Sequence, residues 1–240
     1  MESSRTCDRS CRNCLDKLCT HGIPIFASLD YGQLERLARR VVHRTYARGE
    51  TIVTEGSRPR FAAILNQGSA KACRMTPDGR EQILYVFSEG DFLGEQNLLF
   101  DRASGYTVEA LEEVRACLLH KEDFLALLGE YPDIAVRIIE ELGSRLERLE
   151  NVAKHMGVRA LEGRIGAALL EFADKYGVPE ADGIRVRLPL SREGLASYIG
   201  IARETVSRKL GQLETDRIIR SEGNRTIVIL DRAALENASD

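Results

Sequence analysis

Residues 188–230 read LPLSREGLASYIGIARETVSRKLGQLETDRIIRSEGNRTIVIL, and they carry the clearest structural pattern in the chain. Ser191 can cap a short helix, because its hydroxyl can accept from backbone N–H groups that the first helical turn leaves unpaired. Gly200 ends that helix, and a second helix is predicted from about Ala202 to about Thr215. Two short helices joined by a glycine-containing turn form a helix-turn-helix. The residues predicted to face the core are Leu195, Ala196 and Ile199 on the first helix and Val206, Leu210 and Leu213 on the second.

A wing is predicted after this pair of helices, because residues Ile218 to Leu230 have the pattern of a hairpin that turns at Glu222-Gly223-Asn224. Four outward residues of the second helix have side chains suited to base edges: Arg203, Glu204, Ser207 and Arg208. Arginine can donate two hydrogen bonds to guanine, and glutamate can accept one from the cytosine amino group. Three more residues are predicted to hold phosphates, namely Thr205, Lys209 and the wing residue Arg225. A solvated charged face is the alternative, but two helices followed by a wing favour double-stranded DNA as the partner.

Four cysteines near the start of the chain form a second pattern. Cys7, Cys11, Cys14 and Cys19 stand within TCDRSCRNCLDKLCTHGIPIF, residues 6–26, which lacks the apolar run of a core strand or helix. A segment so short and polar holds its shape only if something ties the sulfurs together. Disulfides, a zinc ion and an iron–sulfur cluster are the candidates.

The composition of the chain narrows these candidates. The chain has 240 residues, of which 43% are hydrophobic and 30% are charged, and its net charge is −3. No apolar stretch approaches the roughly 20 residues that span a bilayer, and the N-terminus does not have the apolar core of a secretory signal. A cytoplasmic location is therefore expected. Thiols are kept reduced there, which favours a metal or a cluster over disulfides.

The middle of the chain, from about Val41 to Lys121, predicts short strands separated by glycine turns. Segments such as TIVTEG, FAAILNQG and EQILYVFSEG are typical of an antiparallel barrel or jelly roll. The segment is interpreted as a ligand-sensing barrel, with a purely structural barrel as the alternative. Further on, residues 162–176 predict an apolar helix and residues 177–183 predict a loop.

A long helix is predicted from Pro132, because apolar residues recur there every seven positions. The residues predicted to lie in a dimer interface are Ile138, Leu142, Leu149, Val152 and Met156. Such a narrow apolar stripe favours pairing with the same helix of a second copy. A single helix that packs on its own barrel is the alternative.

The order of these parts resembles the cyclic-AMP receptor and FNR superfamily of bacterial transcription regulators over nearly the whole chain. The motif RETVSR at residues 203–208 looks like the recognition helix of that superfamily, and Glu204, Ser207 and Arg208 resemble its FNR branch. Arg203, directly before the glutamate, is more like the cyclic-AMP receptor branch, which reads a TGTGA-like half-site. The resemblance implies a homodimer that reads a palindromic TTGA(T/C)-like site and that, where it acts as an activator, contacts RNA polymerase. No group of residues indicates catalysis, so the chain is not expected to be an enzyme.

The cysteines also resemble those of the FNR branch, whose members hold an oxygen-labile 4Fe–4S cluster. The resemblance implies Cys11, Cys14, Cys19 and Cys117 as ligands, the last within VEALEEVRACLLHKEDF, residues 108–124. It also implies that the cluster controls anaerobic and redox-responsive genes. The same DNA-binding scaffold with a structural zinc or a thiol-based switch is the alternative. A redox protein that does not bind DNA is a third and weaker hypothesis.

The predicted fold class is α+β, with a β-roll or jelly-roll sensor domain, a long dimerisation helix and a winged helix-turn-helix. The predicted divisions are a cysteine-rich arm at 1–24, the sensor domain at 25–130, the helix at 131–158 and the DNA-binding domain at 159–240. Binding of a cyclic nucleotide is not expected. The adjacent Arg-Ser pair of members that bind cyclic AMP is missing, although Arg102 and Ser104 are present.

Overall fold

The computed structural model describes residues 30–94, 98–99, 102–140, 142–144, 146 and 163–237. Among these residues, 30–74 and 84–146 belong to one unit, and 75–83 and 163–237 belong to another. No helix within these ranges is long and apolar enough to cross a membrane.

The first unit contains a β-roll and the helices that cover one of its faces. Its elements, including the two strands that border residues 75–83, are α1 (Tyr31–Ala38), β1 (Val41–Tyr46), β2 (Thr51–Val53), β3 (Phe61–Gln67), β4 (Ala70–Met75), β5 (Glu81–Phe87), β6 (Phe92–Leu93), β7 (Thr107–Ala110), β8 (Val114–His120), α2 (Lys121–Glu130) and α3, a helix over residues 132–140, 142–144 and 146.

Two four-stranded sheets form the roll, with strand orders β1-β8-β3-β6 and β2-β7-β4-β5. The pairs β1–β8, β3–β8 and β2–β7 are antiparallel. Side chains from both sheets, including Tyr46, Leu65, Val108 and Leu118, form one buried cluster between them. This arrangement confirms the predicted antiparallel β-roll.

The outer face of the first sheet is covered by helices. Because side chains alternate along a strand, β8 directs Ala116 and Leu118 into the roll and Cys117 and Leu119 to the opposite face. Cys117 and Leu119 share a second buried cluster with residues from α1, α2 and α3, among them Leu37, Phe124, Leu127, Ile134 and Ile138. The start of α3 therefore packs on the same layer of side chains that contains Cys117.

The second unit combines helices with a four-stranded sheet. Its elements are α4 (Gly163–Tyr176), β9 (Gly177–Glu180), β10 (Gly183–Arg187), α5 (Arg192–Ile199), α6 (Arg203–Thr215), β11 (Ile219–Glu222), β12 (Thr226–Ile229) and α7 (Arg232–Asn237). The sheet has the order β11-β12-β10-β9, and its neighbouring strands are antiparallel. The predicted helix at 162–176 and the wing hairpin are confirmed.

The loop predicted at 177–183 is wrong, since this segment supplies β9 and the beginning of β10. β10 pairs with β9 on one side and with β12 on the other. Pro179 is compatible with this arrangement because β9 is an edge strand, where a missing N–H breaks no inner ladder. Pairing with β10 therefore stabilises a strand at residues 177–180, although this segment contains a glycine and a proline.

Candidate functional site

The helix-turn-helix is built by two local signals that the sequence predicts. The Oγ of Ser191 accepts a hydrogen bond from the backbone N–H of Gly194 at 3.1 Å, which caps α5. At the other end, Gly200 has φ 77° and ψ 36°, and its N–H donates to Ala196 O at 2.9 Å. A left-handed residue at this position favours glycine, which has no Cβ. The predicted cap at Ser191 and the predicted break at Gly200 are both confirmed.

Burial of one side of each helix determines which side faces solvent. The residues predicted to face the core are all buried: Leu195, Ala196, Ile199, Val206, Leu210 and Leu213. On α6, Arg203, Glu204 and Arg208 are exposed, while Thr205, Ser207 and Lys209 are half-buried. The predicted base-reading residues thus lie outside the core on a helix whose apolar side is fully packed.

The wing is a tight hairpin between β11 and β12. Its turn includes Gly223 at φ 79°. The carbonyl oxygen of Arg225 accepts a hydrogen bond from the backbone N–H of Leu188 at 2.7 Å, and the side chain of Arg225 is half-buried. The backbone at the predicted phosphate-binding residue of the wing is therefore fixed to the segment that precedes α5.

Ion pairs connect strand β11 of the wing to β10 and to the turn between β9 and β10. Arg185 on β10 pairs with Glu222 at the end of β11 and with Glu180 on β9. Arg220 pairs with Asp182 at 2.7 Å and with Glu222 at 3.2 Å.

These exposed ion pairs change the proton affinity of their carboxylates. The hydrogen bond from Arg185 lowers the pKa of Glu222 below its ordinary value, and the hydrogen bond from Arg220 lowers the pKa of Asp182. Sequence analysis missed this network. The only sign of this network in the sequence is that basic and acidic residues occur on segments that were not predicted to be neighbours.

Cys117 lies in the centre of the other candidate site. It is 0% exposed and sits on β8, where it is paired with His43 on β1 and with Ile64 on β3. Its Sγ accepts from Nδ2 of Asn66 at 2.7 Å and lies 3.5 Å from Nδ1 of His43. Neither side chain was predicted to lie near Cys117, because neither residue occurs at a spacing in the sequence that relates it to Cys117.

The surroundings of Cys117 fit a thiolate that binds a metal or a cluster. Such a sulfur carries negative charge, and an N–H donor stabilises that charge in an apolar layer. The other predicted ligands, Cys11, Cys14 and Cys19, lie outside the described residues. Within the described ranges, no three His, Cys, Asp or Glu residues converge on a common point that could hold a metal ion.

The predicted dimer interface is only partly within the described residues. Ile138 is 3% exposed and packs in the core of its own chain, and Leu142 is half-buried against the same cluster. Ile138 was predicted to lie in a dimer interface, but it is buried within its own chain because the first turns of α3 pack on the roll. Leu149, Val152 and Met156 lie outside the described residues. Three other apolar residues of α3 are exposed, namely Val136 at 53%, Ile139 at 67% and Leu146 at 58%.

The two residues considered for a cyclic nucleotide have different environments. Ser104 is 5% exposed, and its hydroxyl donates to the carbonyl oxygen of Tyr106 at 2.7 Å. Arg102 is exposed. The side chain of Ser104 thus takes part in a local turn.

Comparison with known proteins agrees with this architecture. Residues 43–131 match the cyclic nucleotide-binding domain, and residues 163–238 match the Crp-like helix-turn-helix domain. The chain is 30% identical over 193 residues to the nitrogen fixation regulation protein FixK of Bradyrhizobium diazoefficiens, which covers 79% of this chain and 79% of that protein. It is 27% identical over 221 residues to the transcriptional activator protein FnrL of Cereibacter sphaeroides, covering 90% of this chain and 88% of that protein.

A solved structure gives the same result for the fold. The structure of FixK2 from Bradyrhizobium japonicum matches with a TM-score of 0.74 and 25% sequence identity, covering 83% of this chain and 98% of that chain. FnrL is named a transcriptional activator and FixK a regulation protein, which agrees with the prediction that the chain is not an enzyme. The arrangement of sensor roll and helix-turn-helix, together with these matches, shows that the chain is a DNA-binding transcription regulator that belongs to the Crp/FNR family.

Proposed function

We propose that this regulator is controlled by an oxygen-labile 4Fe–4S cluster held by Cys11, Cys14, Cys19 and Cys117. The observation that carries the proposal is the position of Cys117, whose buried sulfur faces the amide of Asn66 at 2.7 Å. Four further cysteines occur within the first 19 residues. A 4Fe–4S cluster is commonly held by four cysteine thiolates.

The layer that contains Cys117 links the proposed ligand to the long helix. Cys117 belongs to the same buried cluster as Ile134 and Ile138 of α3. A buried core is close-packed, so the gain or loss of a ligand at Cys117 changes the packing beneath the first turns of α3. Ligation of Cys117 thereby biases the position of the helix on which dimerisation is proposed to depend.

The proposed DNA site follows from the outward residues of α6. Arg208 donates to guanine, Glu204 accepts from a cytosine amino group, and Ser207 assists them. Arg203 adds a further base contact, while Thr205, Lys209 and Arg225 position the phosphates. Together with the FNR-like motif, these roles support a palindromic TTGA(T/C)-like site at anaerobic and redox-responsive genes, where the bound regulator contacts RNA polymerase.

The protein is proposed to act as a homodimer whose interface is displaced from the predicted one. Val136, Ile139 and Leu146 are exposed and follow the three- and seven-residue spacing of a coiled-coil seam. Ile139→Glu is expected to dissociate the dimer in analytical ultracentrifugation. The control is Arg137→Glu, a polar half-buried position on the same turn, which is expected to leave the sedimentation coefficient unchanged. A dimeric Ile139→Glu variant would remove this seam from the interface.

Iron and sulfide analysis with an absorption spectrum tests the sensor. Protein purified without oxygen is expected to be brown, to contain about four irons per chain and to lose its colour in air. In the same samples, affinity for a palindromic site is expected to fall on exposure to air. A protein that binds the site equally with and without iron would contradict cluster control, even if iron is present.

A zinc site in the same cysteines is the second candidate, and the proximity of His43 to Cys117 favours it. The two side chains are 3.5 Å apart at Nδ1 and Sγ, and zinc binds both imidazole and thiolate. Zinc predicts a colourless protein whose DNA affinity does not respond to oxygen. Metal analysis of the anaerobic protein therefore separates the two candidates.

A further inference from the structure

We infer that the amide of Asn66 holds the Cys117 sulfur in its ligating form. The inference rests on the proposed cluster and assigns a role to a side chain that is not among its four proposed ligands. Asn66 Nδ2 donates to Cys117 Sγ at 2.7 Å, and His43 Nδ1 is 3.5 Å from the same atom.

Asn66 lies on β3 two residues beyond Ile64, the direct partner of Cys117, so alternation along the strand places its side chain on the same face as the sulfur. Along β3 and β8, Leu65 is paired with Ala116 and Gln67 is paired with Arg115, so Asn66 is an extra residue between two successive pairs. Such a bulge bends the strand and changes the direction of a side chain, and bulges are frequent beside functional sites. Asn66 stands at this bulge, and its side chain meets the sulfur of Cys117.

The need for a donor follows from the burial of the sulfur. Cys117 is 0% exposed and lies in a cluster with apolar neighbours such as Ile64 and Leu119. A negative sulfur in this layer is costly unless a polar hydrogen faces it. The Asn66 amide supplies such a hydrogen, and a hydrogen bond to a charged acceptor is stronger than one between neutral groups.

The other end of the same amide has a different environment. Asn66 Oδ1 is buried, and within the described ranges no donor lies in hydrogen-bond reach of it. A buried amide normally satisfies both of its ends. The Asn66 amide thus donates to the sulfur through Nδ2, while its Oδ1 has no donor within the described ranges.

His43 differs from Asn66 in that it is exposed. It lies on β1, the edge strand of its sheet, directly opposite Cys117. The buried sulfur therefore has a fixed amide on one side and an imidazole on the side that opens to solvent. Replacement of His43 is expected to have a smaller effect than replacement of Asn66, because its contact is the longer one.

Iron release in the absence of oxygen tests the role of Asn66. Full-length protein loaded with its cluster is mixed anaerobically with an excess of a ferrous chelator, and the half-time of iron release is measured. Asn66→Leu, which keeps the size but removes the donor, is expected to shorten the half-time about tenfold, as is usual when a hydrogen-bond partner of a metal ligand is lost. Asn66→Asp, which places a carboxylate against the sulfur, is expected to release iron faster still.

Gln67→Leu is the matched control. Gln67 is also a half-buried amide, it is next along β3, and its Oε1 likewise has no hydrogen-bond partner within the described ranges. Its replacement is expected to leave the half-time unchanged. Equal half-times for wild type and Asn66→Leu would overturn the inference and leave the proposed cluster intact.

The remaining outcomes are also decisive. A folded Asn66→Leu protein that takes up no iron supports the inference, because only the donor is missing. If Asn66→Leu does not fold, Asn66→Ala, which also lacks a donor, replaces it, and release at the wild-type rate then counts against Asn66. A wild-type protein that contains no iron overturns both the proposed function and this inference.

Discussion

The recognition face of α6 is exposed on a helix, whereas the sulfur of Cys117 is buried in the middle of a sheet. The exposed face requires that Val206, Leu210 and Leu213 be packed beneath it, so that Arg208 and its neighbours project outward. The buried sulfur requires polar groups that converge on it from adjacent strands. The residues proposed to read DNA thus depend on apolar support, while the proposed cluster ligand has a polar neighbour on an adjacent strand.

Loss of the buried sulfur is expected to have the largest effect. Cys117→Ser is expected to lower the iron content of anaerobic protein from about four per chain to none, because the cluster loses its ligand from the roll. Atomic absorption measures the result. Cys73→Ser is the control, since Cys73 is the other buried cysteine of the described part of the chain, at 7% exposure, and is not a proposed ligand. Retention of iron by Cys117→Ser would remove Cys117 from the ligand set.

Loss of the apolar support beneath α6 is expected to rank second. Leu210 is 1% exposed, so Leu210→Ala is expected to lower the free energy of unfolding of the second unit by about 2–5 kcal/mol. Urea unfolding followed by circular dichroism measures this change, and iron content is expected to stay constant. Val178→Ala, at a position that is 60% exposed, should change stability by no more than about 0.5 kcal/mol. A similar loss from both variants would mean that α6 does not depend on its buried face.

Loss of a base-reading residue is expected to affect DNA binding alone. Arg208→Ala is expected to cost about 1–3 kcal/mol at the cognate site and little on random DNA. Lys209→Ala, at the adjacent proposed phosphate contact, should weaken binding to both DNAs by the same factor. Fluorescence anisotropy at fixed salt gives the two affinities. An unchanged ratio of cognate to random affinity in Arg208→Ala would exclude Arg208 from base reading.

Loss of an exposed charge at the wing is expected to have the smallest effect, and it depends on pH. Arg185 lowers the pKa of Glu222 below its ordinary 4.5, so the pair stabilises the folded state above that value. This stabilisation is lost as the pH falls through the lowered pKa. Glu222→Gln is therefore expected to reduce the melting temperature slightly at neutral pH and to match wild type in strong acid. A difference that grows as the pH falls would contradict the assigned ion pair.

Local patterns explain why the second unit was predicted more fully than the sulfur site. Ser191, Gly200 and the spacing of Val206, Leu210 and Leu213 act within a few residues of one another, and each prediction from them is confirmed. The contact between Asn66 and Cys117 joins residues 51 positions apart. Sequence distance carries no sign of it, and only the pairing of β3 with β8 creates it.

The start of α1 could have been predicted from a signal that was overlooked. Asp30 Oδ1 accepts from the N–H of Gln33 at 2.8 Å, and Gln33 Oε1 accepts from the N–H of Asp30 at 2.8 Å. This reciprocal pair is a capping box, recognisable from the two residue types three positions apart.

In contrast, the burial of Ile138 could not be predicted, because a seven-residue spacing does not reveal whether a helix pairs with a partner or packs on its own chain.

Pro179 on β9 limits strand pairing between copies of the protein. β9 is the edge strand of its sheet, and the neighbouring Val178 is 60% exposed. An exposed edge with apolar side chains invites a strand from another molecule, and proline blocks the continuous hydrogen-bond ladder that such growth requires. The outer edge of the sheet beside the wing therefore lacks a backbone donor at Pro179, which opposes its extension by a strand of another copy.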